Sequence, residues 1–414
     1  MIRKLRWRVL SGLLLLVFLP GSAVASPPPS PIVILLSWDG MRHDYPDKAN
    51  FPALSRVASQ GVRATSLTPV FPSSTFPGHV SMATGTYPDR HGIVDNVFLD
   101  RDKGRYAYSG DADWIEAEPL WIAAERQGVK TATYFWVGSE SDWHGQGTSY
   151  RIAPFDGDRP EAAKVDQILQ WLALPEATRP RLIMSYWAGA DSVGHDEGPN
   201  SEDVVAQIHE QDAQLARLLA GIDAQSLWDR TTLIIVSDHG MTAATHYLDL
   251  NGALESAGIG AWVIGGAVAQ IHLKDPESQA PVRPVLEAFL ADVPGALVYR
   301  RDELPAALRL ARPSRIGEWV AVVPPPYSFY RPSGVESVLM GAARLFGKEF
   351  GMHGYDPSLP DMGGVFLAMG RGVPTGTEPG VVRQIDVAAT VAGLLGIDPP
   401  LDSEGESIWR QTPE

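Results

Sequence analysis

The 414 residues, 44% hydrophobic and 20% charged, allow one large domain with an insertion, or two domains, and argue against a disordered or multi-span membrane chain. A formal net charge of −15 gives a surface that repels polyphosphate backbones, so binding to a nucleic-acid polymer is disfavoured. With no cysteine the chain has neither disulfides nor thiolate metal sites, and His and carboxylate side chains must hold any ion.

Residues 1–25 read as a secretory signal. Arg3, Lys4, Arg6 and Arg8 precede an apolar run from Val9 to Leu19, and Ala23-Val24-Ala25 offers a small-residue cleavage site. The run is short of the roughly 20 residues that span a bilayer, so no stable membrane span is expected. Residues 26–31 form a proline-rich leader. An exported, cysteine-free chain points to the bacterial periplasm.

From Ile32 onward, apolar runs of strand length end in polar residues. Ile32 to Leu36 leads to Ser37-Trp38-Asp39-Gly40, Thr131 to Val137 to Gly138-Ser139, Leu182 to Tyr186 toward Asp191, and Leu233 to Val236 to Ser237-Asp238-His239-Gly240. Val365 to Ala368 is a further candidate. Continuous apolar strands belong to parallel sheets covered on both faces, and their ligands bind beyond the carboxyl ends. Helical patterns lie between them, at Pro119 to Gln127, from Ser201 to Ile222 and at Ile385 to Leu395. The expected fold is α/β, with a mainly parallel sheet flanked by helices. Residues 256–350 break the rhythm and read as a small inserted α+β subdomain, with 32–255 and 351–414 forming the main catalytic domain.

Phe71-Pro72-Ser73-Ser74-Thr75-Phe76-Pro77-Gly78-His79 reads as a loop entering a short helix. Its Thr75 faces unpaired backbone N–H groups and the positive end of the helix dipole, a natural seat for phosphate. The plainer alternative is that Ser74 or Thr75 only caps the helix. Four groups of metal-competent residues follow candidate strands: Asp39; Asp191 with His195; Asp238 with His239; and His353. With Thr75 they give seven ligands, near the number that two roughly four-coordinate ions need. Nitrogen and carboxylate oxygen suit zinc, with manganese and iron as alternatives.

Ser37-Trp38-Asp39-Gly40, Thr75-Phe76-Pro77-x-His79, Thr84-Gly85-x-Tyr87-Pro88-x-x-His91-Gly92-Ile93-Val94-Asp95-Asn96, Asp191-x-x-Gly194-His195, Ser237-Asp238-His239-Gly240-Met241 and His353-Gly354-Tyr355 together resemble the nucleotide pyrophosphatase/phosphodiesterase family of the alkaline phosphatase superfamily. The resemblance implies an alkaline phosphatase-like core and two zinc ions per subunit, one held by Asp39, Thr75, Asp238 and His239, the other by Asp191, His195 and His353. It also implies that Thr75 is the catalytic nucleophile of a phosphothreonine route, and that Asn96 with the Thr75 amide binds a non-bridging oxygen. The expected substrate is a small nucleotide phosphodiester or pyrophosphate, cleaved to a nucleoside 5′-monophosphate, with Phe76 and Tyr186 as aromatic contacts to the base. The family usually has Asn where Gly78 stands here, which puts local packing in question rather than catalysis.

Alternatives within the superfamily are a choline-type or lysophospholipid phosphodiesterase and a phosphate monoesterase. The monoesterase is disfavoured because Ser141-Asp142-Trp143-His144 follows Gly138-Ser139-Glu140, with no basic residue before Arg151 to meet the extra charge. A sulfatase needs a formylglycine precursor that Thr75 is not, and no Gly-x-Ser-x-Gly elbow of a serine hydrolase is found. A non-catalytic zinc-containing binding protein is the remaining reading.

Overall fold

The computed structural model describes residues 30–276, 281–330 and 348–409. The expected signal segment, 1–25, and most of the leader lie outside the described residues.

The apolar runs become the middle of a seven-stranded sheet. Its order is Val62–Arg63, Phe366–Gly370, Thr231–Val236, Ile32–Trp38, Leu182–Trp187, Thr131–Tyr134 and Tyr150–Ile152. From Thr231–Val236 onward all neighbours are parallel, whereas Phe366–Gly370 pairs antiparallel on both of its sides. Alternation along a strand sends Val33 and Leu35 to one face and Ile32, Ile34 and Leu36 to the other. The first face is covered by the helices Thr75–Thr84, Leu120–Arg126 and Asp386–Leu395, through Met82, Ile122 and Val391. The second is covered by Pro52–Gln60, Glu161–Leu172 and Glu202–Ala224, through Val57, Ile168 and Leu215. Burial on both faces explains why these strands lack polar alternation.

The expected strand at 131–137 stops at Tyr134, because Phe135 adopts φ 59° and turns the chain out of the sheet. The helices Pro52–Gln60 and Glu161–Leu172 and the edge strand Tyr150–Ile152 carry no strong run and were not expected.

Within the region expected as an insertion, four antiparallel strands lie in the order Ala261–Ile264, Val268–Leu273, Trp319–Val322, Leu297–Arg300. They have their own core, where Ile271 and Ala321 meet Leu254 and Leu286 from the helices Leu250–Ser256 and Val282–Phe289. The chain leaves through Thr242–Ala244 and returns antiparallel beside it as Phe350–Met352, which brings His353 back to the segment it left. A second tie is Arg315, fully buried, whose guanidinium donates to Asp100 Oδ2 at 2.8 Å, Gly92 O at 2.7 Å and Trp114 O at 3.0 Å.

Candidate functional site

The polar residues gather at the carboxyl ends of the parallel strands, as the run pattern implied. Asp39 follows Ile32–Trp38, Asp238 and His239 follow Thr231–Val236, and Asp191 and His195 occupy one face of the short helix Asp191–Glu197 after Leu182–Trp187. A Cβ on Gly189, at φ 64°, would lie 1.8 Å from the Asp39 carbonyl oxygen, so only glycine lets these two strand ends approach.

Six of the expected ligands form two groups, Asp39 with Asp238 and His239, and Asp191 with His195 and His353. In the first, His239 Nε2 lies 3.5 Å from Asp39 Oδ1 and 3.3 Å from Asp238 Oδ2. In the second, Asp191 Oδ1 lies 3.4 Å from His195 Nε2 and 3.8 Å from His353 Nε2. The groups adjoin, with the His239 and His353 rings stacked at 3.7 Å between centroids.

Each imidazole has its other nitrogen engaged by a backbone carbonyl. Nδ1 of His195, His239 and His353 lies 2.9, 2.9 and 3.0 Å from the oxygens of Gly351, Gly240 and Ser73, to which the Nδ1–H donates. In the neutral ring that leaves Nε2 as the unprotonated nitrogen, turned toward the carboxylates, the arrangement a metal-ligating histidine needs. On the carboxylate side, Asp39 Oδ1, Asp191 Oδ1 and Asp238 Oδ2 are buried without a hydrogen-bond partner. Each of the three is the oxygen that faces the histidines. Buried anionic oxygens left unpaired are costly, and a bound cation is the partner that satisfies them. The site therefore fits divalent metal.

Electrostatics agree. Burial pushes the Asp39 carboxyl up, and the Asp238 and Asp191 carboxylates add to the rise. Against a desolvation that works the other way, His195 holds Asp191 below the usual carboxylate range. Burial, with His239 beside it, pushes His353 down to about 3, so its ring is neutral at neutral pH.

Thr75 is the first residue of the helix Thr75–Thr84, and its Oγ1 stands 3.2 Å from His239 Nε2. Ser74 occupies the cap position but makes no side-chain cap bond, its hydroxyl serving Asp95 instead. The simple capping alternative is therefore not what the structure contains. Phe76 N–H donates to Asn96 Oδ1 at 2.8 Å, which leaves the NH2 group as the remaining polar end of that amide. The Thr75 N–H, at the first helical position, has no intrahelical acceptor.

His79 is fully buried under this turn. Its Nδ1–H donates to the Thr75 carbonyl at 2.8 Å, and its Nε2 accepts from Ser37 at 2.7 Å. Tyr186 does not face Phe76 across a base slot. Its hydroxyl donates to Asp39 Oδ2 at 2.6 Å and its ring packs edge-on against His79, because strand alternation turns it inward beside Asp39.

Two exposed rings were missed by sequence reasoning. Tyr108 packs edge-on against Phe76 at 5.5 Å, and Phe155 against Tyr186 at 5.8 Å. Both sit outside the motifs, in loops without periodic signal, so only their aromatic character could have drawn attention.

A model of the type I phosphodiesterase/nucleotide pyrophosphatase family matches residues 33–356. An uncharacterized pyrophosphatase/phosphodiesterase of Schizosaccharomyces pombe is 31% identical over 350 residues, 82% of this chain and 71% of that protein. Human ectonucleotide pyrophosphatase/phosphodiesterase family member 1 is 29% identical over 389 residues, 89% of this chain but 40% of that protein. The chain thus spans less than half the length of this human relative. Among solved structures, murine ectonucleotide pyrophosphatase/phosphodiesterase 5 superposes with a TM-score of 0.80 at 26% identity, covering 91% of this chain and 97% of that one. An inactive threonine-to-alanine form of that murine protein has been solved in complex with AMP. The likeness carries the expected alkaline phosphatase-like α/β architecture with it.

Proposed function

The chain belongs to the type I phosphodiesterase/nucleotide pyrophosphatase family, and from that premise we propose that it hydrolyses small nucleotide phosphodiester or pyrophosphate bonds, releasing nucleoside 5′-monophosphates through a phosphothreonine intermediate. The observation that carries the reading is the set of three unpartnered buried carboxylate oxygens facing three tautomer-fixed histidines, beside a threonine at a helix N-terminus.

Two divalent cations, zinc by donor type, would be held by Asp39, Thr75, Asp238 and His239 and by Asp191, His195 and His353. Bound there, they supply the positive charge that favours a deprotonated threonine and a departing oxygen. The chain's own groups do the rest. His79, through the Thr75 carbonyl, holds the turn that carries the nucleophile, and His239 Nε2, 3.2 Å from Oγ1, is placed to share a cation with it. Thr75 Oγ1 attacks phosphorus, the bond from phosphorus to the leaving oxygen breaks, and water later cleaves the phosphothreonine. With Asn96 Oδ1 committed to Phe76, the Asn96 NH2 group and the Thr75 N–H are the donors aimed at a non-bridging oxygen. Phe76 borders the base subsite, while Tyr186 positions Asp39.

Residues 256–350 as an inserted subdomain, export through residues 1–25 and a periplasmic location belong to the same proposal. Among the described residues no helix is long and apolar enough to cross a membrane. The AMP complex of the murine relative supports a nucleotide as substrate. The test is steady-state hydrolysis of a nucleotide diester, a phosphate monoester and a choline phosphodiester by one zinc-loaded sample with a chelator-treated control. The nucleotide diester is expected first by a wide margin and only with metal. A faster choline ester moves the enzyme to lipid substrates, and a faster monoester overturns the diesterase assignment.

A further inference from the structure

A cavity of about 770 Å³ opens from His195, His353 and Asn96 and runs onto the four-stranded sheet of the 256–350 region, reaching Trp262 and Tyr330. Its size suits a nucleotide-sized ligand. It starts at the Asp191 group, the side from which the proposed reaction sends the leaving group, and neither Phe76 nor Phe155 lines it. It adjoins the base subsite at Asn96 and Tyr108, which touch Phe76, and extends away from it toward Trp262 and Tyr330.

Its walls are unusual for open surface. Of the seven large hydrophobic side chains exposed among the described residues, Tyr108, Trp262 and Tyr330 all line this cavity. Trp262 projects from the strand Ala261–Ile264 with 54% of its surface open, and Lys274 Nζ lies 5.8 Å from its ring centroid. Exposed aromatic rings gathered in one concavity are the surface on which a planar ring stacks. The charges point the same way. Arg105 is the one arginine or lysine lining the cavity, against the carboxylates Asp95 and Asp249. A departing pyrophosphate would bring several negative charges to a cavity whose one lining guanidinium is outnumbered by acids, whereas a departing mononucleotide brings one phosphate and a ring.

We propose that this cavity receives the leaving half of a dinucleotide, its ring against Trp262 and Tyr330 and its phosphate near Arg105, so that two nucleosides joined by a pyrophosphate are preferred to nucleoside triphosphates. The inference rests on the proposed hydrolysis at Thr75. Thr75 Oγ1 forms a bond to one phosphorus, the bridging P–O bond breaks, and the second nucleotide leaves with the bridging oxygen. One water then cleaves the phosphothreonine, so each turnover consumes one water and releases two 5′-monophosphates.

The test compares kcat/KM of the zinc-loaded full chain for a dinucleoside diphosphate and for the triphosphate of the same nucleoside. The wild type is expected to favour the dinucleotide, and Trp262→Ala to lower the dinucleotide-to-triphosphate ratio roughly tenfold, mainly through KM, as loss of one ring stack does. Trp262→Phe is expected to restore most of the ratio, and Tyr330→Ala reads the same ratio if Trp262→Ala does not fold. A wild type that prefers the triphosphate, or a ratio unmoved in these variants while both substrates are cleaved, overturns this inference alone. Cleavage of neither nucleotide beside an active choline ester overturns it together with the reading on which it rests.

Discussion

At the scale of single residues, Thr75 and Asp39 have opposite problems, and their neighbours solve both. As the proposed nucleophile, the threonine hydroxyl is weak and must be held at one point, and the Thr75 turn is braced by His79 and Ser37 beneath it. Asp39 is a buried carboxylate whose ionised form is disfavoured by desolvation and by Asp238 and Asp191 nearby, so it needs a cation and a donor. Tyr186 supplies the donor at 2.6 Å. Thr75→Ala is expected to lower turnover by roughly 10⁴-fold or more while the fold and the metal content measured by elemental analysis persist, because the proposed nucleophile is lost and Asp39, Asp238 and His239 remain to hold the ion. Tyr186→Phe separates two roles. If the hydroxyl holds Asp39, the variant loses about 10- to 100-fold in metal affinity or activity. If the ring only stacks on a base, phenylalanine keeps the stack and neither quantity moves.

At the scale of elements, the site depends on how closely backbone can approach a ligand. The Gly78 position, where the resemblance would put asparagine, lies in the helix that carries Thr75. A Cβ there would meet the Asp238 carbonyl oxygen at 3.0 Å and its Cβ at 3.1 Å. The departure from the family pattern therefore bears on a metal-ligand candidate as well as on local packing, which the sequence alone did not disclose. The four-stranded region is fastened by charge as well as by its return strand. Arg315 is fully buried and pairs with Asp100 at 2.8 Å and Glu116 at 2.8 Å. Arg315→Ala leaves the Asp100 carboxylate buried without its cation and is expected to destabilise by about 3–5 kcal/mol. Urea unfolding followed by tryptophan fluorescence measures it, and a change within 0.5 kcal/mol, about the scatter of ordinary surface substitutions, would show the clamp to be dispensable.

At the scale of the molecule, stability and metal occupancy are expected to be linked. Three carboxylates, each with a buried unpaired oxygen, converge at the joint between strand ends, and without cations their mutual repulsion works against the native state. Chelation is expected to abolish diester hydrolysis and lower the Tm, and zinc at about 100 times its Kd to restore about 2.7 kcal/mol for each site that only the native chain forms. Calorimetry with and without chelator checks this, and an unchanged Tm would mean that the carboxylates are satisfied in some other way.

The sequence by itself determined the sheet and the inventory of chemistry. Ile32 to Leu36 and Leu233 to Val236 can be buried on both faces only in a parallel sheet with helices on either side, and polar residues just beyond such strands have one place to go. Asp39, Asp191, His195, Asp238, His239 and His353 were read in this way, and Thr75 as a residue at the start of a short helix. What the sequence left open is direction and partnership at long range. It could not say that Tyr186 turns toward Asp39, that Ser74 serves Asp95 rather than capping its helix, or that Trp262 and Tyr330 share a cavity with His195. Local propensity and burial pattern are written in neighbouring residues. Which side chains meet across the fold is decided only when sheet order, strand register and the return of Phe350–Met352 beside Thr242–Ala244 fix distant segments against one another.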